Sequence, residues 1–537
     1  MRRTSRRPPI GLGGAALVVS ASILASRLLG LLRETLLAAL LGVSADGDLY
    51  RYAFVIPDLI NYLLAGGFLS ITLIPLLARR IEAAGSDRDQ EQAGSQDRAG
   101  SQAQAGPEAE GLWADFSSVF RVVGWAIVGL TVVMIVVARP VARLLFSLLD
   151  PTELDAVVRL TRIVLPAQVF FVMGSLFMAA QYVHRRFLIP ALAPVIYNLG
   201  IIGGGLIGAY VGEPTPDGFV WGALAGAAIG NFALQWWGAR RAGMRFVKTR
   251  TPVVSEYFHL AIPLMVGQSV AVLDEQFPRF FGQVVGEGAA SSLSLARMLN
   301  MLPVGMIAQA AAVASFPFLA RLVAAGNEVE VDRVTIRSVR VTVAVALAAT
   351  AVFWGAAKPL VRIAYQWGEF GELDSTVVAG LLAVFALSIP AWGIHQVIAR
   401  WFYANRRMWV PVLIGTVATL IAIPLALVLA ERFGARGVAT ASTVMMWMYT
   451  AAMVIAWWTG SGPDRRNGLL DSLARGAIPA ITGAVIGRLL SDRLPIADLG
   501  SAVLTALVAG SAAVIVYVGM ARVFRFVEAD PRTWRRA

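Results

Sequence analysis

Residues 26–79 read SRLLGLLRETLLAALLGVSADGDLYRYAFVIPDLINYLLAGGFLSITLIPLLAR. Two long apolar blocks flank a short polar break, SADGD at 44–48, and the first block extends upstream to residue 14. A bilayer core requires about 20 apolar residues in a helix, and each block reaches that length. Lipid offers the backbone no hydrogen-bond partner, so blocks of this kind have to be helical. The stretch therefore predicts two membrane-spanning helices joined by a polar turn.

The rest of the chain repeats this pattern. It has 537 residues, of which 57% are hydrophobic and 15% charged, whereas soluble domains carry about 25% charged residues. The apolar blocks do not show the period-two alternation of a membrane barrel. Counting the blocks predicts an all-α polytopic membrane protein with fourteen transmembrane helices.

The composition excludes several classes of site. The chain has no cysteine, which excludes disulfides and thiolate metal sites. Its three histidines, His184, His259 and His395, are too scattered to suggest a zinc site. The net charge of +12 comes largely from arginines that we interpret as setting membrane orientation, so we predict no nucleic-acid partner and no metal.

Loop charges predict the orientation in the membrane. The loops after odd-numbered blocks are acidic or neutral near the membrane, whereas basic residues collect on the cytoplasmic side of membrane proteins. We therefore predict a multi-pass protein with both termini in the cytoplasm. The arginines that follow the even-numbered blocks are Arg79, Arg80, Arg185, Arg186, Arg240, Arg241, Arg321, Arg406, Arg407, Arg465 and Arg466.

Two sequence patterns each occur twice. ITLIPLLARRIEAAG returns later as ASFPFLARLVAAG, and AAQYVHRRFLIP returns as ARWFYANRRMWVP. A unit with an even number of spans repeats in the same orientation, so the two copies are related by an axis along the membrane normal. We predict two parallel-repeat six-helix lobes, residues 14–240 and 251–460, followed by two C-terminal helices at 468–522.

Residues 82–112 have a different composition from their surroundings. They are rich in Gly, Ala, Ser and Gln and poor in apolar residues. Such a segment cannot bury enough surface to offset its ordering entropy. We predict a disordered cytoplasmic linker within the first lobe, with a partner-binding tail as the alternative.

Charged side chains interrupt some of the apolar blocks. Arg27, Arg33 and Glu34 lie in the first block, and Arg297 lies in the eighth. A charge near the bilayer centre costs roughly 2.5–3.5 kcal/mol, so such residues are candidates for function. Pairing between helices is the alternative. Because the arginine fork binds oxyanions bidentately and stays ionised when desolvated, we predict a cationic cavity for an anionic, lipid-linked substrate.

The second block contains candidate hinge residues. Pro57 precedes the pair Gly66 and Gly67, and loosened backbone at a cavity commonly absorbs a conformational change. Glycines that only allow close helix packing are the alternative.

Two blocks, residues 26–79 and 296–322, resemble the MurJ/MviN lipid II flippase family of the multidrug/oligosaccharidyl-lipid/polysaccharide exporter (MOP) superfamily. The first is similar to the family's opening Ser-Arg-x-x-Gly-x-x-Arg-[Asp/Glu], followed by an Asp, a Pro and a Gly-x-Phe. The second, which begins ARMLNMLPVG, is similar to a stretch that the family carries after its seventh span. The resemblance extends over essentially the whole chain.

This resemblance also implies roles for individual residues. It implies that the helices at 468–522 form a groove for the polyprenyl tail and that Asp274 occupies a position that binds sodium in some members. The implied substrate-binding residues are Arg27, Arg33, Asp48 and Arg297. We add Glu34, because it stands seven residues after Arg27 and so lies on the same helix face.

The chain departs from the family pattern at two positions. Asn61 stands where the family has a further cavity arginine, and Asn300 stands where it has an acidic residue. The eleventh block, WVPVLIGTVATLIAIPLAL, has no carboxylate or Asn to complete a sodium site with Asp274. The departures leave the substrate's identity and the coupling ion open.

From the resemblance and the charges we expect a flippase that moves lipid II, an undecaprenyl-diphosphate-linked peptidoglycan precursor, across a bacterial inner membrane by alternating access. The chain has no Walker motif, so we expect no cofactor and transport driven by membrane potential or an ion gradient. We expect a monomer that works beside the cell-wall synthesis machinery. The alternatives are a flippase for a different polyprenyl-diphosphate-linked oligosaccharide, a drug exporter, a membrane enzyme acting on polyprenyl phosphates, and a structural scaffold.

Overall fold

The structure, a computed structural model, describes residues 12–64, 72–80, 107–249, 251–269, 273–459 and 463–526. Within these ranges all regular elements are helices, without any strand. Seven helical spans among the described residues are long and apolar enough to cross a membrane, and one bent helix pair would make an eighth. The prediction of an all-α multi-pass membrane protein is confirmed, whereas the number fourteen stays a prediction.

The described helices follow one another with short connections. In chain order they are α1 (Leu12–Leu41), α2 (Ala45–Ala53), α3 (Val55–Leu64), α4 (72–80), α5 (Pro107–Leu145), α6 (Pro151–Val164), α7 (Ala167–Val183), α8 (Leu188–Val211), α9 (Pro216–Gly226), a π-helical turn (Ala227–Ala233), α10 (Leu234–Arg241), α11 (Val253–Ser269), α12 (Leu273–Val285), α13 (Ala289–Ala324), α14 (Glu328–Gly355), α15 (Ala357–Tyr365), α16 (Glu372–Ala386), α17 (Ile389–Ala404), α18 (Trp409–Trp458), α19 (Pro463–Arg493) and α20 (Leu499–Val523).

By their internal contacts these residues divide into two compact units. Unit 1 contains the chain up to Leu36 and then Tyr52–Ser269, and unit 2 contains Leu37–Arg51 and the described residues from 273 onward. Helix α1 therefore contributes to both units. The lobe boundaries predicted from the sequence stay a prediction.

In unit 1, helices α8 and α9 approach each other through glycines. Gly200 and Gly204 on α8 face Gly222 and Gly226 on α9. A Cβ atom on Gly200 would lie 2.6 Å from the Gly226 Cα, and one on Gly204 would lie 2.6 Å from the Gly222 Cα. Both contacts are with backbone, so no side chain can move aside. This four-residue spacing of small residues is a common way for two membrane helices to pack closely.

The predicted linker, residues 82–112, lies mostly outside the described residues. Its last six residues are a correction, because helix α5 begins at Pro107 and includes them. Pro is favoured in the first turn of a helix, where its missing N–H has no intrahelical partner to lose.

The core of unit 2 is formed by helices α13, α14, α16 and α17. Val304 and Ile307 of α13 pack against Ala346 of α14 and against Ala386 and Ile389, where α16 ends and α17 begins. All five side chains are buried. These helices position the polar residues described below.

Helices α19 and α20 pack against α14 in the same unit. Ala351 of α14, Ala484 of α19 and Ala513 of α20 form one buried cluster. The Tyr517 hydroxyl on α20 donates a buried hydrogen bond of 2.9 Å to the Ala344 carbonyl on α14. Small side chains at the centre and a hydrogen bond beside it hold this pair of C-terminal helices to unit 2.

Candidate functional site

In unit 1, a polar cluster connects α1 to α8. The Arg33 Nη1 donates to the Asn198 Oδ1 at 3.2 Å, and the Arg33 Nη2 donates to the Glu34 Oε1 at 2.7 Å. Glu34 is buried and Arg33 is half-buried. The structure therefore brings two of the predicted substrate-binding residues, Arg33 and Glu34, into one ion pair. A charge-assisted hydrogen bond of this kind fixes the guanidinium in position.

Arg27 lies on α1, two turns before this cluster. It is half-buried, and it stands seven residues before Glu34, on the same helix face. Within the described part of the chain, no hydrogen bond or ion pair of Arg27 is seen. Its role in substrate binding stays a prediction.

In unit 2, the predicted residue Arg297 lies on α13 and is buried, with 8% of its surface exposed. Its Nη1 donates to the Ser442 Oγ on α18 at 3.1 Å. One turn further along α13, Asn300 is fully buried and its Nδ2 donates to the Ser388 Oγ at 3.3 Å. Two serine hydroxyl groups, one on α18 and one in the turn before α17, thus orient the polar side chains of α13.

Asp48 caps the N-terminus of α13. This helix begins after Gly288, which has a positive φ of 75° and no side chain to cap the helix. The Asp48 Oδ1 accepts a hydrogen bond of 2.6 Å from the backbone N–H of Ser291, the third residue of α13. The first four N–H groups of a helix have no partner within it, and a carboxylate there also interacts favourably with the helix dipole. Asp48 therefore serves as the N-cap of α13, a role that the residue at the N-cap position itself, Gly288, cannot fill.

Burial determines the protonation of this cap. Asp48 is 3% exposed, and this burial raises its pKa from 3.8 to about 6 although hydrogen bonds from Ser291 and the charge of Arg51 act in the opposite direction. Arg51 lies beside it, where its Nε donates to the Ser291 Oγ at 3.3 Å. The cap is therefore a group that titrates close to physiological pH.

We expect the stability of the protein to depend on pH through Asp48. Because its pKa is raised in the folded state, folding favours the protonated form, and the wild type loses stability as pH rises from 3.8 through about 6. Asp48→Asn keeps an oxygen acceptor for the Ser291 N–H and cannot ionise, so it should not show this loss. The measurement is the unfolding temperature of both proteins across this pH range. Asp48→Ala, which removes the cap, should be destabilised at every pH, by about 0.5–2 kcal/mol. Parallel pH profiles for wild type and Asp48→Asn would contradict the account.

An apolar groove of about 450 Å³ runs beside α14 and α19 in unit 2. Two of its polar groups are satisfied internally: the Thr350 hydroxyl donates to the Ala346 carbonyl at 2.9 Å, and the Trp447 Nε1 donates to the Leu387 carbonyl at 2.9 Å. The groove therefore presents mainly hydrocarbon to whatever occupies it. Its lining residues are Leu347, Thr350, Trp354, Leu387, Pro390, Trp447, Ala477, Ala480, Ile481, Ala484 and Val485.

The structure describes only one of the predicted hinge residues. Pro57 lies buried in the first turn of α3, where its missing N–H interrupts no helical hydrogen bond. The break between α2 and α3 comes before Pro57, between Ala53 and Val55. Gly66 and Gly67 lie outside the described residues, as does the side chain of Asp274. Their hinge and ion-binding roles stay predictions.

Sequence reasoning did not identify the partners of the charged residues. Asn198, Ser388 and Ser442 hold Arg33, Asn300 and Arg297, respectively. Asn198 and Ser442 are polar residues within apolar helices, where such side chains commonly form hydrogen bonds between helices, and Ser388 lies in the turn before α17. That signal was present in the sequence, but it does not indicate which helices meet.

The chain is similar to a family model and to known proteins of that family. A family model described as lipid II flippase MurJ matches residues 37–508. The chain belongs to this family. A "Probable lipid II flippase MurJ" of Rhizobium meliloti is 27% identical over 80% of this chain and 77% of its own length. The "Lipid II flippase MurJ" of Burkholderia cenocepacia is 27% identical over 75% of each chain.

The MurJ fold is also found by comparison with solved structures. A "Lipid II flippase MurJ, inward closed conformation" matches with a TM-score of 0.73 at 18% identity, covering 95% of this chain and 98% of that one. An inward-facing "multidrug resistance MATE family transporter of the MOP superfamily" matches with a TM-score of 0.61 at 14% identity, covering 83% and 97%. At these identities the matches show the fold alone.

Proposed function

We infer that this protein flips lipid II across the bacterial inner membrane, as a transporter and not as an enzyme. The observation that carries this inference is the MurJ family match over residues 37–508, which includes Asp48 and Arg297. The multi-pass helical fold and the similarity to solved MurJ and MATE structures agree with it. The substrate is a lipid that stays in the bilayer while its head group crosses.

For substrate binding, we propose that Arg27, Arg33 and Arg297 bind the diphosphate. The partners of Arg33 and Arg297 support this, because Glu34 and Ser442 hold the two guanidinium groups in place. Preorganised guanidinium groups lose little entropy when they bind an oxyanion. Asp48 contributes by fixing the start of the helix that carries Arg297.

The apolar groove beside α14 and α19 fits the polyprenyl tail. Its lining is mainly hydrocarbon, and the hydrogen bonds of Thr350 and Trp447 are already made. A tail of isoprene units gains free energy by filling such a groove, because packing against protein atoms replaces looser contacts with lipid chains. The extra C-terminal helix α19 forms one wall, as the resemblance implied for residues 468–522.

For the transport cycle, we propose fourteen transmembrane helices in two parallel six-helix lobes plus two, with both termini in the cytoplasm. Alternating access would be driven by membrane potential or an ion gradient, without a cofactor. The protein would act as a monomer beside the cell-wall synthesis machinery. The parallel sequence repeat and the loop arginines support this arrangement.

A second candidate substrate is a different polyprenyl-diphosphate-linked oligosaccharide. Asn300 favours it, because a fully buried amide stands where the resemblance places an acidic residue, and Asn61 is half-buried where it places an arginine. The diphosphate and the tail would be recognised in the same way, and only the sugar contacts would differ.

The experiment that tests the proposed function is growth of a bacterium depleted of its own lipid II flippase. We expect this protein to restore growth and normal cell shape. If the protein inserts into the membrane in normal amounts but fails to restore growth, lipid II is not its substrate and the second candidate is favoured. An Asn61→Arg, Asn300→Glu double variant that gains rescue would point to the same conclusion.

A further inference from the structure

A cationic cleft of about 540 Å³ lies in unit 1, between α5, α6 and α9. One part of its lining is charged and the other part is apolar. The lining residues are Arg139, Asp155, Val158, Arg159, Arg162, Ile163, Pro166, Trp221 and Leu224.

Two ion pairs hold arginines at this cleft. The Arg139 Nη2 lies 2.9 Å from the Asp155 Oδ1. Arg159 binds the Asp217 carboxylate with both of its Nη atoms. Their charges are compensated, but each guanidinium keeps N–H donors that these bonds do not use.

Arg162 is held differently. Its Nε donates to the Ile135 carbonyl at 3.1 Å, and in the part of the chain that the structure describes no carboxylate lies within ion-pair distance of it. The side chain is exposed at the surface of the unit. Arg162 lies two residues before the end of α6, and the first twelve residues of this helix carry four charged side chains, Glu153, Asp155, Arg159 and Arg162. Such a charged stretch suits the level of the lipid head groups, where a guanidinium meets lipid phosphates.

The surface around the cleft faces lipid. On α5, Val132, Val133 and Val136 are 54%, 55% and 69% exposed, and Trp221 on α9 is 56% exposed. In a membrane protein these apolar side chains contact acyl chains, and Trp favours the level of the head groups. A ligand in the cleft therefore meets cationic donors at one end and hydrocarbon at the other.

We propose that this cleft binds an anionic phospholipid, with its phosphate on Arg159 and Arg162 and an acyl chain along Val158, Ile163 and Trp221. A phosphodiester supplies the negative charge that the described surroundings of Arg162 lack, and guanidinium groups bind its oxygens bidentately. The lipid acts as a structural ligand between α5, α6 and α9. The site is independent of the proposed transport function, since nothing in it requires lipid II.

The test uses the fluorescence of Trp221 in the full-length protein reconstituted in nanodiscs of synthetic lipids. The Trp221 signal is the difference between wild type and Trp221→Phe. Its quenching is compared between nanodiscs that contain brominated phosphatidylglycerol and nanodiscs that contain brominated phosphatidylcholine at the same mole fraction. We expect the apparent affinity of the cleft to be about fivefold higher for the anionic lipid than for the zwitterionic lipid, the preference typical of one arginine at an anionic surface. Arg162→Gln should lose this preference.

The matched control is Arg143→Gln. Arg143 is also an exposed arginine near the end of α5, but it does not line the cleft, so the preference should remain. Equal quenching by the two lipids in the wild type, or a preference that persists in Arg162→Gln, would overturn the proposal. Displacement of the anionic lipid by a stoichiometric amount of polyprenyl diphosphate would also overturn it, because the cleft would then belong to the transported substrate.

Discussion

We expect Arg297→Gln to reduce lipid II flipping about tenfold to hundredfold, which corresponds to the loss of one hydrogen bond to a charged group. Glutamine can still donate to the Ser442 Oγ, which Arg297 contacts at 3.1 Å, so the helix contact is kept while the charge is removed. The measurement is transport activity at equal protein in the membrane, with the unfolding temperature recorded for each variant. We expect a large loss of transport with little loss of stability.

Two matched variants separate charge from structure at this position. Ser442→Ala removes the buried partner of Arg297 and leaves the charge, so it should lower transport much less than Arg297→Gln. Arg333→Gln removes a different arginine, one on the exposed surface of α14 paired with Glu330, and should have no effect. Equal activity of wild type and Arg297→Gln would show that Arg297 does not bind the substrate.

Gly204→Ala should destabilise the protein by about 1–3 kcal/mol, the usual cost of forcing extra volume into a packed contact. The new Cβ would lie 2.6 Å from the Gly222 Cα and closer still to the Gly218 carbonyl oxygen. Because both neighbours are backbone atoms, helices α8 and α9 would have to separate. The measurement is the unfolding temperature in detergent, together with the amount of protein in the membrane.

The control for this variant is the adjacent glycine. A Cβ on Gly203 would meet no atom within 4 Å, and alanine favours a helix by about 1 kcal/mol relative to glycine. Gly203→Ala should therefore be neutral or slightly stabilising. If the two variants behave alike, the close approach of α8 and α9 does not contribute to stability.

The sequence predicted the helical membrane fold because apolar blocks of this length have one solution in lipid. It also indicated Arg297 as unusual, and the structure buries this residue against a hydroxyl group. In each case the sequence feature is contained within one helix. Such features can be recognised in the sequence without knowing how the helices pack.

The contacts between helices could not be predicted in the same way. Asp48 was selected as a substrate-binding residue, and its contact in the structure is with the N-terminus of α13, far away in sequence. The cleft around Arg162 depends on three helices meeting, and nothing in any one of them indicates it. Hydrogen bonds such as that between Arg33 and Asn198 likewise depend on which helices become neighbours.

The most direct test of the proposed function is movement of lipid II itself. Purified protein is placed in liposomes with lipid II labelled on its head group, a membrane potential is imposed, and label reaching the outer leaflet is destroyed with an impermeant reagent. We expect wild type to expose the inner pool of lipid II, and Arg297→Gln to expose it about tenfold to hundredfold more slowly. A wild type that leaves lipid II protected, yet moves another polyprenyl-diphosphate-linked oligosaccharide, would contradict lipid II as the substrate.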